Sequence, residues 1–168
     1  FASHVSVQRM RQLSPWRVDS WRSFSILQPT DELVQALNRF APTIVASYPT
    51  AVAMLAAEAE RGALHIAPQE LWTGGETLSP AVRARIETVF GSPLRNSYGA
   101  SEFLPLAWEC SHGRLHANSD WAILEPVDER LQPVPPGEVS HTTLLTNLAN
   151  RTQPLLRYRL DDRVRVLP

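Results

Sequence analysis

Lysine is absent from the sequence, and all 16 basic residues are arginine. A reaction that needs a lysine as phosphate ligand or charged clamp therefore cannot be completed by these 168 residues alone. A Walker-type phosphate loop is excluded, because both its lysine and its glycine spacing are missing. The net charge of −1 creates no overall basic field, so no nucleic-acid partner is expected.

Cysteine and long apolar segments are also scarce. The single cysteine, Cys110, excludes an internal disulfide and gives no sign of an oxidising compartment. No apolar run approaches the length of a membrane span, so no membrane partner is expected. Residues 1–4 show neither an initiator methionine nor a signal pattern. We therefore interpret the chain as an excised internal piece, and the cytoplasm is its expected location.

The first part of the chain has the pattern of an α/β protein. Short β-prone segments alternate with amphipathic helices, an order that is typical of βαβ units in a parallel sheet. Three helices are predicted to begin at Thr30, Thr50 and Pro80, the last with Ser79 as N-cap and Gly91 as stop. The predicted strands cover residues 43–48, 71–73 and 94–98.

The second part of the chain, from about residue 119, loses the helical periodicity. Prolines, β-branched residues and alternation predict antiparallel strands at 121–127, 139–146 and 155–166. We therefore expect an α/β subdomain at 1–118 with nucleotide-binding loops, followed by a β-rich subdomain of the distorted-barrel type at 119–168.

Two turns that follow neighbouring predicted strands carry small residues and a glutamate. Residues 73–77 read Thr-Gly-Gly-Glu-Thr, and residues 98–102 read Tyr-Gly-Ala-Ser-Glu. Open parallel sheets bind ligands at the carboxyl ends of their strands, and glycines allow backbone N–H groups to approach a ligand. Together the turns indicate a site for a phosphate-bearing ligand with Mg²⁺. In the alternative interpretation, residues 74–75 are only a turn and Glu102 is only a solvated carboxylate.

Three sequence motifs follow one another along the chain. They are Trp-Thr-Gly-Gly-Glu-Thr-Leu-Ser at 72–79, Asn-Ser-Tyr-Gly-Ala-Ser-Glu at 96–102 and Tyr-Arg-Leu-Asp-Asp at 158–162. In content, order and spacing they resemble the core motifs of the adenylate-forming (acyl-CoA synthetase) superfamily, and most closely the phenylacetate–CoA ligase family. The resemblance implies a part of the large N-terminal domain of an acid–CoA ligase. Such an enzyme uses ATP, Mg²⁺ and CoA to convert a small, aromatic carboxylic acid into an acyl-adenylate and then a thioester.

The resemblance also implies roles for individual residues. Ser101, which stands where the family usually has threonine, would contact the α-phosphate, and Glu102 would bind Mg²⁺. Asp162 would accept hydrogen bonds from both ribose hydroxyls. Asn96 and Tyr98 would hold and stack the adenine ring, and residues 74–76 would line the adenine side of the nucleotide. Tyr48 and Ala100 are candidates for the acid-binding pocket. The full set of implied nucleotide-binding residues is Gly74, Gly75, Glu76, Asn96, Tyr98, Gly99, Ser101 and Asp162.

Some features depart from the family pattern. Asp161 stands where relatives usually carry glycine or arginine, and the family's phosphate loop and C-terminal catalytic lysine are absent from these 168 residues. The chain alone is therefore predicted to be inactive. Two other functions remain open: an adenylating enzyme that loads a carrier protein or another acceptor, and a non-catalytic nucleotide-binding remnant. The oligomeric state is open as well, with a homodimer as one option.

Two weaker patterns have competing interpretations. Cys110, His112 and His116 offer zinc ligands, but a second Cys-x-x-Cys arm is missing, and a surface β-hairpin is the preferred interpretation. The arginines at 157, 159, 163 and 165 share one face if that segment is a straight strand. Nucleic-acid binding by this face is disfavoured by the net charge.

Overall fold

The structure is a computed structural model that describes residues 20–167. Residues 1–4, on which the interpretation as an excised piece rests, lie outside this range. No helix in the described range is long and apolar enough to cross a membrane. The elements, labelled in chain order, are α1 Thr30–Phe40, β1 Ile44–Ser47, α2 Pro49–Glu60, β2 Glu70–Gly74, α3 Pro80–Phe90, β3 Leu94–Ala100, β4 Phe103–Glu109, β5 Leu115–Ala117, β6 Ala122–Val127, β7 Thr142–Asn147 and β8 Leu155–Arg159.

The three helices form where their local signals predict them. In α3 the Ser79 side chain accepts a hydrogen bond from the Val82 N–H at 3.3 Å, and Gly91 ends the helix with φ of 63°. Helix α2 begins at Pro49, one residue before the predicted start, because proline suits the first helical position. The predicted strands of the first part also form, so the sequence determines these elements through local chemistry.

The strands form two sheets, and the predicted α/β class is confirmed. The parallel-rich sheet has the order β1-β2-β3-β4-β5, in which β3–β4 and β4–β5 pair antiparallel. The other sheet, β6-β7-β8, is antiparallel as predicted, with Leu145 of β7 opposite both Leu124 and Tyr158.

The chain divides into two compact units. The first contains the described residues up to Leu71 together with Leu78–Leu94, and its core includes the fully buried Val52, Leu71 and Ile86. The second contains Trp72–Thr77 and the residues from Arg95 onward.

This division differs from the predicted boundary at 118/119. Leu106 of β4 is completely buried in one cluster with Ala122 of β6 and Leu145 of β7. Burial of these apolar side chains against one another joins β4 to the β-rich segment. The second unit therefore begins earlier in the chain than composition suggested.

The last predicted strand is shorter than expected. β8 ends at Arg159, and the chain has a positive φ within the strand at Arg157 (50°) and beyond its end at Asp161 (61°). The prediction of one straight strand over 155–166, with four arginines on one face, is therefore wrong. Arg157 pairs with Glu125 at 3.3 Å, whereas the Arg163 guanidinium donates to the Ser140 carbonyl at 3.1 Å.

Candidate functional site

The end of β2 is fastened to β3 by side-chain hydrogen bonds within the second unit. The buried Thr73 hydroxyl donates to the Asn96 side-chain oxygen at 3.1 Å. In return the Ser97 hydroxyl donates to the Thr73 carbonyl at 3.0 Å. The first residues of the first motif therefore lie beside the first residues of the second motif.

Three positions of the site favour glycine over other residues, for two different structural reasons. A Cβ added to Gly74 would lie 2.3 Å from the Ser97 hydroxyl oxygen, and one added to Gly99 would lie 1.9 Å from the Leu104 carbonyl oxygen. Gly75 instead adopts φ of 78°, which L side chains rarely tolerate. Packing of the protein on itself therefore requires glycine at 99, where the obstacle is backbone, and favours glycine at 74, where the obstacle is a side-chain hydroxyl. The sequence had suggested only approach to a ligand as the reason for these glycines.

Glu102 lies with Ser101 in the tight turn between β3 and β4. Its carbonyl oxygen accepts a hydrogen bond from the buried Asn147 amide at 3.1 Å. Its carboxylate accepts a hydrogen bond from the Tyr158 hydroxyl, and this bond and the negative charge of Glu102 raise the pKa of Tyr158. Both the main chain and the side chain of Glu102 are thus held by the β7–β8 ribbon.

Asp162 lies just beyond β8 and is held in a similar way. One carboxylate oxygen accepts a hydrogen bond from the Tyr98 hydroxyl at 2.8 Å, and the Asp162 carbonyl accepts one from the Thr143 hydroxyl at 2.9 Å. Burial, followed by the hydrogen bond and charge of Asp162, raises the pKa of Tyr98 well above its usual range. The phenol therefore remains a protonated donor at neutral pH.

The extra carboxylate beside Asp162 is paired. The Asp161 carboxylate forms an ion pair with the Arg159 guanidinium at 2.5 Å. This pair is exposed, so its contribution to stability is small, but it offsets the negative charge that Asp161 adds near Asp162.

The remaining predicted site residues lie in the turn after β2, at the end of β3 and in the first unit. Gly75 and Glu76 are exposed in the turn after β2. Ala100 ends β3 and packs against the cluster of Leu106, Ala122 and Leu145. Tyr48 belongs to the first unit, where it is the N-cap residue of α2 and is 38% exposed.

Sequence reasoning missed the residues that support the two carboxylates. Tyr158 was quoted as part of a motif but received no role, although it bonds to Glu102. Thr143 and Asn147 were not singled out at all, although each holds a carbonyl of a predicted site residue. Their β-strand pattern gave no signal, because these partners are 19 and 45 residues distant in the chain.

Cys110 starts the turn of a β-hairpin, as the preferred interpretation of this segment predicted. Its N–H donates to the Arg114 carbonyl at 2.9 Å, and β4 pairs with β5 up to Glu109. Backbone hydrogen bonds from Arg114 and His112, with smaller contributions from the side chains of His116 and His112, lower the pKa of Cys110 to about 6. In residues 20–167 no three His, Cys, Asp or Glu side chains form a group that could hold a metal ion, so the zinc alternative lacks a ligand set there.

Comparisons with known proteins agree with the motifs. A family model described as AMP-binding enzyme matches residues 21–141. Protein CapK of Staphylococcus aureus is 28% identical over 133 residues, covering 78% of this chain and 28% of CapK. The phenylacetate-coenzyme A ligase of Pseudomonas putida is 29% identical over 152 residues, covering 83% of this chain and 33% of the ligase.

Solved structures share the fold. An open conformation of 2-hydroxyisobutyryl-CoA ligase in complex with 2-HIB-AMP and CoA matches with a TM-score of 0.73 and 23% identity, covering 84% of this chain and 33% of that one. The chain thus spans about a third of the length of the relatives that it matches. The resemblance to adenylate-forming enzymes is confirmed, since the family model covers most of the chain. The chain belongs to the family of AMP-binding enzymes.

Proposed function

We propose that the full-length protein containing this chain is an ATP-dependent carboxylate–CoA ligase. It converts a carboxylic acid into an acyl-adenylate and then into an acyl-CoA thioester. The observation that carries the proposal is the hydrogen bond between Tyr98 and Asp162, 64 residues apart. It joins the motif with the adenine-binding side chains to the motif with the ribose-binding carboxylate, which a single nucleotide must contact together.

The nucleotide is held by groups of the second unit. The Tyr98 ring stacks on adenine, and its hydroxyl is tied to Asp162, which limits its rotation. A carboxylate has about four acceptor sites, so Asp162 accepts the Tyr98 proton and still binds both ribose hydroxyls. Asn96 contacts adenine beside the turn of Gly74, Gly75 and Glu76, to which it is linked through Thr73.

The turn between β3 and β4 would hold the phosphates and their cation. The Ser101 hydroxyl contacts the α-phosphate, and the Glu102 carboxylate is a hard oxygen ligand of the kind that Mg²⁺ prefers. One carboxylate fits this role, because Mg²⁺ in nucleotide sites takes its other ligands from phosphate and water. When bound, the cation would neutralise charge on the phosphates.

The reaction requires positioning more than covalent work from the protein. The acid carboxylate attacks the α-phosphorus of ATP, the bond to the β-phosphate oxygen breaks, and pyrophosphate leaves. The CoA thiolate then attacks the acyl carbonyl and AMP leaves. Because these 168 residues contain no lysine, any lysine that neutralises charge in either step lies outside them. We therefore propose that this chain alone does not turn over.

We further propose an aromatic acid as substrate, on the basis of the similarity to phenylacetate-coenzyme A ligase. Tyr48 and Ala100 remain the proposed acid-pocket residues. CoA is the proposed acceptor of the acyl group. Adenylation of the acid would be the same with a carrier protein as acceptor, so the second half-reaction is assayed with each acceptor.

The test is acid-dependent exchange of pyrophosphate into ATP by the full-length protein, over a panel of aryl and alkyl acids. We expect exchange with aryl acids and a loss of about a hundredfold or more in Asp162→Ala, since two hydrogen bonds to a charged acceptor contribute about 1.5–3 kcal/mol each. Asp162→Asn, which keeps an acceptor for Tyr98, separates loss of ribose binding from loss of the tyrosine contact.

The matched control is Leu156→Ala, at a side chain that is 75% exposed on β8. It should exchange like the wild type. Thioester formation with CoA, but not with a carrier protein, would support the ligase. Absence of exchange with every acid, from a folded full-length protein, would instead favour a non-catalytic nucleotide-binding remnant.

A further inference from the structure

Thr143 of β7 contacts the main chain on both sides of the bend that follows β8. The bend lies at Asp161, whose φ of 61° is uncommon for a residue with a side chain. Before the bend, the Leu160 N–H donates to the Thr143 carbonyl at 3.0 Å. After the bend, the Thr143 hydroxyl donates to the Asp162 carbonyl at 2.9 Å. Thr143 therefore fixes the backbone from which the Asp162 side chain projects.

The adjacent residue Thr142 offers an internal comparison. Thr142 and Thr143 are both buried, with exposures of 1% and 0%, so bulk water reaches neither side chain. The Thr142 hydroxyl has no hydrogen-bond partner within residues 20–167, whereas the Thr143 hydroxyl is bonded to Asp162. The two threonines therefore share residue type, strand and burial, and they differ in the contact with the Asp162 backbone.

The Asp162 side chain is fixed at its far end as well. Its Oδ2 atom accepts the hydrogen bond from the Tyr98 hydroxyl at 2.8 Å. With the backbone held by Thr143 and Oδ2 held by Tyr98, few rotamers of Asp162 remain available. A ligand that needs two hydrogen bonds to one carboxylate binds more tightly to an acceptor that is already ordered, because less side-chain entropy is lost on binding.

We propose that Thr143 is a positioning residue that orients the Asp162 carboxylate toward the hydroxyls of the nucleotide ribose. This inference rests on the proposed function and goes beyond it, because Thr143 is completely buried and acts on the nucleotide only through Asp162. Without the bond from Thr143, the main chain at Asp162 can shift and carry the carboxylate away from the ribose. The groups that contact adenine and the phosphates stay in place.

The experiment compares the affinities of the full-length protein for ATP and for 2′-deoxyATP, both measured by calorimetry. The wild type should prefer ATP about tenfold or more, since 2′-deoxyATP lacks one hydrogen bond to a charged acceptor. Thr143→Val replaces the hydroxyl by a methyl group, and the preference should fall about fivefold, which is the equivalent of one ordinary hydrogen bond. A general disturbance of the site would weaken both nucleotides equally and leave their ratio unchanged.

Thr142→Val is the matched control, because it makes the same replacement at the adjacent buried position, whose hydroxyl is unpaired within the described residues. It should keep the wild-type ratio of affinities. Thr143→Ser retains the hydroxyl and should keep the ratio too, whereas Thr143→Ala should lower it. The serine and alanine variants differ by the hydroxyl alone, so they make the same comparison if Thr143→Val fails to fold. An unchanged preference for ATP in folded Thr143→Val or Thr143→Ala overturns the proposal.

A second measurement needs no nucleotide. The midpoint of urea unfolding of the full-length protein should be lower in Thr143→Val than in the wild type, because the Asp162 carbonyl loses its donor. In Thr142→Val the midpoint should stay the same or rise, since a buried hydroxyl without a partner is removed. Equal midpoints in the two variants would mean that the bond from Thr143 to Asp162 is absent, which also overturns the proposal.

These readouts separate two kinds of failure. A wild-type protein that binds no ATP, or that binds ATP and 2′-deoxyATP equally, would contradict the proposed nucleotide site, and the role of Thr143 would fall with it. A wild type that prefers ATP, beside a Thr143→Val protein with the same preference, would leave the proposed function intact and remove only the role of Thr143.

Discussion

Replacing Gly99 with alanine should be among the most destabilising single substitutions in the second unit. The added Cβ would lie 1.9 Å from the Leu104 carbonyl oxygen and 2.8 Å from its carbonyl carbon, whereas ordinary contact begins at 3.4 Å. The obstacle is backbone and cannot rotate away, so β4 must move by about 1.5 Å relative to β3. This movement would disturb the antiparallel pairing that already shifts register between Tyr98 and Ala100.

The expected magnitude follows from the nature of the obstacle. Overpacking in a folded protein typically costs about 1–3 kcal/mol, and a backbone obstacle places Gly99→Ala at about 3 kcal/mol or more. Gly74→Ala meets the Ser97 hydroxyl, which can rotate, and should cost less. Gly137→Ala in the same unit has φ of 92° and no other atom within 4 Å, so it reports the backbone strain without the clash. That strain costs about 1–2 kcal/mol.

Urea unfolding followed by circular dichroism measures these differences through the midpoint and slope of each transition. The expected order of stability is wild type, then Gly137→Ala and Gly74→Ala, then Gly99→Ala. A Gly99→Ala protein as stable as Gly137→Ala would refute the reasoning, because it would mean that β3 and β4 do not approach as closely as described.

Three further predictions concern titrating groups and a helix cap. Because the folded-state pKa of Tyr98 is raised, the hydroxyl contributes to stability below about pH 10, and this contribution is lost at higher pH. The difference in unfolding free energy between wild type and Tyr98→Phe should therefore shrink above that pH. A difference that stays constant with pH would contradict this prediction. The rate of Cys110 alkylation by iodoacetamide should be half-maximal near pH 6, rather than near the usual thiol pKa of about 8.5. His116→Ala should raise this midpoint. A wild-type midpoint near the usual value would argue against the hairpin geometry. Ser79→Ala should lower the free energy of unfolding by about 1 kcal/mol in urea titrations, since it removes the bond to the Val82 N–H, whereas Ser79→Asp should retain it.

Local chemistry explains which elements could be predicted from the sequence. The start and stop of α3 were predicted to the residue because Ser79, Pro80 and Gly91 act within one turn of the helix. The last strand was predicted too long for the opposite reason. Its bends lie at Arg157 and Asp161, non-glycine residues with positive φ, and only the tertiary contacts of a bulged ribbon impose that conformation.

The candidate site, too, could be predicted from the sequence only in part. The three motifs and the roles they imply could be identified from the sequence, because residue types and their spacing can be read from it directly. The supporting contacts could not, since the bond between Tyr98 and Asp162 spans 64 residues and depends on how β7 and β8 approach β3. The two compact units differ from the predicted boundary at 118/119 for a related reason, because Leu106 is buried against residues that lie later in the chain.

The two hydrogen bonds of Asp162 have a mechanical consequence. A single bond between two segments acts as a hinge and permits rotation about itself. Asp162 is held at two points, because its carboxylate accepts from Tyr98 of β3 at 2.8 Å and its carbonyl accepts from Thr143 of β7 at 2.9 Å. A slip of this segment by one residue would break both bonds at once, so the segment should detach from β3 and β7 cooperatively instead of fraying from one strand at a time.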